Sequence, residues 1–376
     1  MTQEPKIFPY IEHLLQGAEV VWKTLGEVAK VTIGEFVHKN YQKADGLYPV
    51  FNGGITETGF YDRFNQKGNK IIISARGANA GFVNKIHSPF WAGNSCYTID
   101  LNDKDGKYWI YVYYYLKNNQ EKLIGVQQKG GIPAVSKKQI ETLKIPLPPL
   151  SVQQEIVRIL DKFTQLEAEL EAELDCRKRQ YEYYRNKLLS YEGNGVEWKT
   201  LDQISENLDS KRQPITSGLR TSGKIPYYGA SGIVDYVEDY IFDGDFLLIS
   251  EDGANLLARN TPIAFSVSGK IWVNNHAHIL KFRTYEERRF IEFYLNKTDL
   301  TPYISGAAQP KLNKKNLNSI KIPIPPLEEQ QRIVTILDKF DTLVNSISEG
   351  LPKEIALRRK QYEYYREKLL TFTNDK

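Results

Sequence analysis

Two near-identical stretches decide the fold of this chain: QQEIVRILDKF at Gln153–Phe163 and QQRIVTILDKF at Gln330–Phe340. From the first stretch onward, apolar residues recur close to every 3.5 residues, at Ile156, Leu160, Phe163, Leu170 and Leu174, with Glu167 at one seam position. The second stretch repeats the pattern at Ile333, Leu337, Phe340, Val344, Ile347 and Leu351. This period predicts two long helices, each with one apolar stripe, that pair antiparallel with each other.

Further blocks occur twice, in the same order. They are VVWKTL and VEWKTL (Val20–Leu25, Val196–Leu201), IIISARGAN and LLISEDGAN (Ile71–Asn79, Leu247–Asn255), KIPLPPL and KIPIPPL (Lys144–Leu150, Lys321–Leu327), and RKRQYEYYRNKLL and RRKQYEYYREKLL (Arg177–Leu189, Arg358–Leu370). A repeat of about 177 residues indicates a duplicated domain pair. The segments before each KIP block are less alike. They would diverge if they met different partners, or simply because surface loops drift faster than helices.

The helix boundaries carry local signals. Ser151 and Gln154 match a capping box directly after the first PPL segment. Gly350-Leu351-Pro352 interrupts the second apolar stripe, where a helix should kink or restart. LEAELEAEL at Leu166–Leu174 is a tandem of the unit EAEL, which could set the helix length or serve only as a solvated helix-forming surface.

The segments between the helices predict mixed α/β globules of about 130 residues each. Short β-rich runs lie between Gly-, Asn- and Asp-rich turns, at Ile71–Ser74, Cys96–Leu101, Phe246–Ser250 and His278–Phe282. Helices are predicted at Trp109–Lys117 and Glu286–Leu295. The N-terminal Ile11–Gly17 is similar to Leu188–Gly195, so we expect it to pack with the end of the second helix.

Composition excludes several classes of protein. The 376 residues are 41% hydrophobic and 12% aromatic, enough for real cores. No run of about 18 apolar residues occurs, and MTQEPKIFPY opens with an acid and two prolines, so we expect neither a membrane span nor a secretory signal. Two cysteines cannot form a disulfide framework, which favours the cytoplasm. A net charge of +4 permits nucleic-acid binding without requiring it.

Common enzyme motifs are missing. The sequence has no G-x-x-x-x-G-K-[ST], no G-x-G-x-x-G and no G-x-S-x-G. Only His276 and His278 are close among the histidines, on one face of a predicted strand, and such a pair is two ligands short of a metal site. We therefore expect no catalytic residues, no metal and no cofactor on this chain.

Side chains that read base edges or grip phosphates gather in Gly-punctuated loops of both globules, and we take them as candidate DNA contacts. In the first globule they are Asn52, Arg63, Lys67, Lys70, Arg76, Asn79, Lys85, Gln127, Gln128 and Lys129. In the second they are Lys211, Arg212, Arg220, Lys224, Tyr228, Ser231, Arg259, Lys270, Asn274, Asn275 and Lys311. The prediction rests on the clusters, because each residue alone could be an ordinary solvated group.

The repeated QYEYYR block allows two interpretations. Tyr181, Tyr184 and Leu188 follow helical spacing and could form an intramolecular packing stripe. Clustered Tyr and Arg also suit a protein interface. The candidate partner-binding residues are Tyr181, Tyr184, Arg185, Tyr362, Tyr365 and Arg366.

Taken together, these blocks resemble the specificity (S) subunit of type I restriction–modification systems over essentially the full length of the chain. The resemblance implies an α+β protein with two α/β target-recognition domains separated by two long helices in an antiparallel coiled coil, pseudo-twofold through internal duplication. The corresponding segments are 1–17, packing with the C-terminal helix region; 18–150, the first recognition domain; 151–192, the first spacer helix; 193–327, the second recognition domain; and 328–376, the second spacer helix.

The resemblance also implies the function. Each recognition domain would read one half of a bipartite, asymmetric site in double-stranded DNA. The chain would bind two copies of a methyltransferase (M) subunit and, through them, restriction (R) subunits, with S-adenosylmethionine, ATP and Mg only on those partners. Two alternatives are a free-standing sequence-specific DNA-binding regulator and a single-chain nuclease or methylase with an unrecognised site.

Overall fold

A computed structural model describes residues 10–101, 108–125, 133–191, 195–306 and 309–372. The helices are α1 Ile11–Leu15, α2 Leu25–Val28, α3 Tyr108–Asn118, α4 Gln120–Gly125, α5 Lys137–Glu141, α6 Leu150–Leu188, α7 Leu201–Ile204, α8 Asn255–Ala258, α9 Tyr285–Lys297, α10 Lys314–Asn318, α11 Leu327–Asn345 and α12 Gly350–Leu370. The strands are β1 Val21–Thr24, β2 Ala29–Ile33, β3 Tyr48–Phe51, β4 Gly59–Tyr61, β5 Lys70–Ser74, β6 Val83–Ile86, β7 Trp91–Ala92, β8 Cys96–Leu101, β9 Lys144–Leu147, β10 Glu197–Thr200, β11 Glu206–Asn207, β12 Ser222–Gly229, β13 Gly232–Val237, β14 Phe242–Ser250, β15 Ala264–Val273, β16 Ala277–Lys281 and β17 Lys321–Ile324.

The chain divides into two compact units, and the division passes through the long helices. The first unit comprises Met1–Glu171 and Ile355–Lys376, and the second comprises Ala172–Glu354. The first unit therefore contains the start of α6 and most of α12. The second contains the end of α6 and all of α11.

The globule strands follow a similar order in the two units, but they are divided between two sheets in the first unit and lie in one sheet in the second. In the first, strands follow the orders β2-β8-β5-β6 and β4-β3-β7, and in the second the order is β11-β16-β14-β15-β12-β13. β3 runs parallel to β7, as β12 runs parallel to the end of β15. The predicted strands and the two predicted globule helices, α3 and α9, are confirmed.

The repeated entry and exit blocks of each globule are hydrogen-bonded partners. β1 pairs antiparallel with β9, placing Trp22 opposite Pro146, and β10 pairs with β17, placing Trp198 opposite Pro323. These strand pairs bring the entry and the exit of each globule together beside the start of a long helix. Both copies therefore contain the same short pairing.

The apolar stripes pack as the period predicts. In the first unit Ile156 and Leu160 of α6 share a buried cluster with Leu369 and Leu370 of α12. Ile11 joins this cluster, and the Tyr10 hydroxyl lies 2.9 Å from that of Tyr364. In the second unit the end of α6 packs on α11, with Tyr181 and Leu189 clustered around Ile333 and Leu337. The start of each helix thus meets the end of the other, and the antiparallel pairing is confirmed.

Two local predictions are wrong. α6 begins at Leu150, so Ser151 lies inside the helix and not at its N-cap position; the Gln153 side chain donates to the Pro148 carbonyl at 2.8 Å. Gln330 makes the same 2.8 Å bond to Pro325, which explains why both helices begin with this block. Ile347 does not extend the seam, because it is 87% exposed in the segment between α11 and α12. The break itself is confirmed: α12 starts at Gly350, whose φ of +79° suits glycine.

Candidate nucleic-acid interface

The turn that follows the central strand β5 is held by backbone hydrogen bonds to two other loops. The amide of Ala75 donates to the Ser95 carbonyl at 2.8 Å, and the amide of Val135 donates to Ala75 at 2.9 Å. The amide of Gly77 donates to the Pro133 carbonyl at 2.8 Å. Loops distant in sequence are thereby fixed together at one end of the sheet.

The turn after β14 in the second unit has the same bonds. The amide of Glu251 donates to His276 at 2.9 Å, Leu312 donates to Glu251 at 2.7 Å, and Gly253 donates to Pro310 at 3.1 Å. Gly77 and Gly253 have φ of +92° and +103°, left-handed values that explain the glycine shared by ARGAN and EDGAN.

A fourth loop, the β-hairpin tip, reaches the same place in both units. The hydroxyl of Ser74 donates to the Gly54 carbonyl, and that of Ser250 donates to Ala230. We call these converging loops the turn platform: residues 52–54, 74–77, 93–95 and 133–135 in the first unit, and 229–231, 250–253, 274–276 and 309–312 in the second.

Several predicted DNA contacts come together on the turn platform. In the first unit Arg76 is exposed and Asn52 accepts from the Ser95 amide at 3.2 Å, while Asn79 lies two residues beyond the platform turn. The residues on the platform of the second unit are Ser231, Asn274, Asn275 and Lys311, of which all but Asn274 are exposed. Asn274 is buried and accepts from the His276 amide at 2.8 Å, so its side chain shapes the loop.

Other candidate DNA contacts are exposed but lie outside the turn platform. Arg63 and Lys67 lie between β4 and β5, Lys211 precedes β12, and Lys224 lies in β12. Lys270 is exposed on β15, with its ammonium 4.5 Å from the centre of the Tyr240 ring. These residues remain candidates for phosphate contacts.

A third group of candidates is engaged inside its own unit. Lys70 pairs with Asp100, and Lys85 lies 4.9 Å from the centre of the Tyr113 ring, where burial lowers the pKa of its amine. Arg220 pairs with Asp235 at 3.0 Å, and Arg259 donates to the Thr298 carbonyl just beyond α9 at 2.8 Å. Half-buried Tyr228 packs near Phe265. These side chains stabilise the fold, and we leave them out of the proposed interface. Gln127, Gln128 and Lys129 lie outside the described residues.

A buried ionic network supports the platform of the second unit. Arg212 donates to Glu251 at 2.7 Å, and its side chain is only 13% exposed. His278 is buried, with Nδ1 2.6 Å from Asp209 and Nε2 2.6 Å from the Leu312 carbonyl. Burial raises the pKa of the Asp209 carboxyl, but the hydrogen bond from His278 and the charge of Arg212 hold it below its ordinary value. The network ties β16 to the 250–253 and 309–312 loops of the turn platform.

The expectation that His276 and His278 share one face of a strand is wrong. β16 starts at Ala277, so His276 precedes the strand and its alternation does not apply. His276 is exposed and contacts Asp252, whereas His278 is buried against Asp209. Within the described ranges, no group of three or more His, Cys, Asp or Glu side chains is arranged to hold a metal ion.

The two turn platforms have the same backbone hydrogen bonds but present different side chains. Arg76 occupies the position that Asp252 has in the second unit, Ala134 corresponds to Lys311, and Ser95 corresponds to His276. Sequence reasoning left Asp252 and His276 out of the candidate DNA contacts, because it searched mainly for basic and amide side chains and weighed His276 only as a metal ligand. The LLISEDGAN block, aligned with IIISARGAN, already contained the signal: opposite charges at one position of a shared turn.

The QYEYYR blocks use several of their aromatic rings for packing. Tyr181 and Tyr184 stack on Phe340, and Tyr362 and Tyr365 lie against Phe163. The guanidinium groups of Arg185 and Arg366 lie over Tyr181 and Tyr362, and Arg366 also donates to Asn118.

The more exposed rings of these blocks are two that sequence reasoning did not single out. Tyr183 is 59% exposed and Tyr364 is 46% exposed, each with a lysine one turn further along, Lys187 and Lys368. A partner chain could reach these two positions without opening the helix pair.

Comparison with known proteins identifies relatives over most of the chain. Residues 18–175 and 194–357 each match the family described as the type I restriction modification DNA specificity domain. The specificity subunit of the Escherichia coli type I restriction enzymes EcoR124I and EcoR124II is 34% identical over 409 residues, covering 96% of this chain and 97% of that protein. A Haemophilus influenzae protein, provisionally named a type I restriction enzyme specificity subunit, is 46% identical over 183 residues, about half of each chain (48% and 47%).

A solved structure shares the fold. The crystal structure of the type I restriction–modification S subunit from M. genitalium aligns with a TM-score of 0.64 at 22% identity, covering 95% of this chain and 97% of that one. Among the residues described, no helix is both long enough and apolar enough to cross a membrane.

Proposed function

This chain belongs to the specificity (S) subunits of type I restriction–modification systems, and we propose that in such a complex it reads a bipartite, asymmetric sequence in double-stranded DNA. The observation that carries the proposal is the pair of turn platforms. The same backbone hydrogen bonds present Arg76 in one unit and Asp252 in the other. Since base edges are read by side chains, two copies of one scaffold with different side chains would read two different half-sites.

Catalysis would then belong to partner chains. We propose that two methyltransferase subunits bind this chain, that restriction subunits join through them, and that S-adenosylmethionine, ATP and Mg act only on those partners. The LDKF and QYEYYR blocks of the spacer helices occur twice, which suits two copies of one partner. The proposed location is the cytoplasm, in keeping with Cys96 and Cys176 as free thiols.

The exposed Tyr183 and Tyr364, each beside a lysine, are the positions we assign to methyltransferase contact. Tyrosine is enriched at the centres of protein interfaces, where it combines a large apolar surface with a polar group. Tyr183→Ala and Tyr364→Ala should each remove one methyltransferase copy, and the double variant both, as measured by native mass spectrometry of the co-expressed complex. Glu182→Ala, an exposed neighbour, is the control. Two retained copies in the double variant would contradict this assignment.

Methylation mapping tests the proposed function directly. This chain is co-expressed with its methyltransferase subunits, and long-read sequencing locates methylated bases in the host DNA. The expected result is one motif made of two specified blocks separated by a gap of fixed length and free sequence. A single continuous motif would contradict bipartite recognition. Nanomolar, sequence-specific binding by the chain alone would favour a free-standing regulator.

A further inference from the structure

Asp252 and His276 form a side-chain pair on the turn platform of the second unit. The imidazole Nδ1 lies 2.8 Å from the Asp252 carboxylate, and the two side chains are 51% and 32% exposed respectively. A carboxylate on a surface that meets DNA opposes phosphate binding, which depends on cationic side chains. Affinity for the DNA backbone therefore does not explain an aspartate at position 252.

The backbone around the Asp252–His276 pair is fixed by hydrogen bonds and by a buried ion pair. Glu251, next to Asp252, is buried and bonds Arg212 and Lys311 at 2.7 and 3.3 Å. The backbones of Asp252 and Lys311 form a β-bridge, and the His276 amide donates to Asn274. Since the backbone on both sides is fixed, the two side chains present one geometry to a ligand, as a recognition site requires.

The chemistry of the pair selects one class of base edge. A carboxylate only accepts hydrogen bonds, so His276 donates through Nδ1–H, and a neutral ring then keeps Nε2 as an acceptor. The second carboxylate oxygen also remains an acceptor. In the major groove, cytosine N4 and adenine N6 offer amino donors, whereas guanine and thymine present acceptors at the corresponding positions.

We propose, on the basis of the function above, that the Asp252–His276 pair is a specificity-determining element of the second recognition domain and accepts hydrogen bonds from the amino group of a cytosine or adenine. Arg76, at the equivalent position, makes the first domain unable to read the same group. The two half-sites therefore differ at the base pairs that face these turns.

The test compares the methylation motifs of assembled complexes on a library of randomised DNA. Asp252→Ala should leave the first half-site unchanged and lower the preference for the amino-bearing base at one position of the second half-site by about tenfold or more, because alanine removes the acceptor that asparagine would keep. His276→Ala should relax the same position. Asp299→Ala is the matched control, because this exposed carboxylate accepts from Thr301 within its own turn, and its motif should equal that of the unmodified chain.

Three results would overturn the proposal. They are an unchanged second half-site in both variants, relaxation at different positions in the two variants, and a uniform loss of methylation with the motif intact. Thermal unfolding and subunit assembly, measured on the same samples, identify uniform loss as a folding defect and thus a purely structural pair. Failure of the proposed function gives a different result, since the unmodified complex would then yield no two-part motif.

Discussion

Phe163 stacks on Tyr365, with ring centroids 5.6 Å apart and planes inclined by 23°. Their equivalents in the other unit, Phe340 and Tyr184, repeat the contact at 5.7 Å and 24°. Residues separated by roughly 200 positions in the chain thus form one aromatic joint in the first unit, and residues separated by about 156 form it in the second. The duplicated LDKF and QYEYYR blocks are the two sides of this joint.

Removing the aromatic ring at position 163 should destabilise the first unit. Phe163 is 6% exposed, and replacing a buried phenylalanine with alanine costs about 3–5 kcal/mol of unfolding free energy. Chemical denaturation of Phe163→Ala measures this loss. Tyr183→Ala removes an exposed ring of similar size and should change the unfolding free energy by less than about 0.5 kcal/mol. Equal losses in the two variants would contradict a packing role for the joint.

Adjacent Lys211 and Arg212 should behave differently despite equal charge. Arg212→Ala leaves Asp209 and Glu251 without one buried cation, which should cost about 3–5 kcal/mol of unfolding free energy. Lys211→Ala removes an exposed amine and should leave stability almost unchanged. Thermal and denaturant unfolding of both variants provide the measurement. A stable Arg212→Ala protein would return this arginine to the candidate DNA contacts.

Arg76→Ala should weaken DNA binding by the assembled complex while subunit assembly stays intact. A phosphate contact would lower the salt slope of the binding constant by about one and affect all sequences alike. Arg76→Lys separates the two roles, because lysine keeps the charge but loses the planar two-pronged donor that reads guanine. If Arg76→Lys restores both full binding and the original motif, Arg76 contacts a phosphate. If it restores binding but relaxes the first half-site, Arg76 reads a base. Loss of assembly in either variant would mean that Arg76 is structural.

Exchanging one recognition domain should change one half-site. Residues 18–150 enter and leave through the β1–β9 strand pair, which the second domain builds identically with β10 and β17. A replacement domain from another specificity subunit can therefore use the same junctions. Methylation mapping of the hybrid should show a new first block and an unchanged second block. A change in both blocks would contradict independent reading.

Inserting a third EAEL unit after Leu174 should widen the gap between the half-sites. Four helical residues add about 6 Å of rise, and duplex DNA rises about 3.4 Å per base pair, so the gap should grow by about one to two base pairs. Arg359 pairs with Glu167 and Glu171, the first glutamates of successive repeat units, so the repeat is more than a solvated surface. An unchanged gap in the methylation motif would leave the repeat without a role in spacing.

The sequence by itself determined the duplication, the helix pairing and the position of most elements. Helical periodicity is a local property, and two near-identical copies of a motif impose the same local structure twice, so Ile156, Leu160, Ile333 and Leu337 could be assigned to a core from spacing alone. The break at Gly350 followed for the same reason, because glycine and proline act on their own backbone.

Only the tertiary structure decided which polar side chains are available to DNA. Arg76 and Arg212 look alike in the sequence, yet one is exposed and the other is enclosed by Asp209 and Glu251. The cost of burying a charge depends on partners that lie far away in the chain, and no local pattern identifies them. The Asp252–His276 pair also depends on the tertiary structure, because backbone hydrogen bonds between distant loops bring an acid and an imidazole within 2.8 Å of each other.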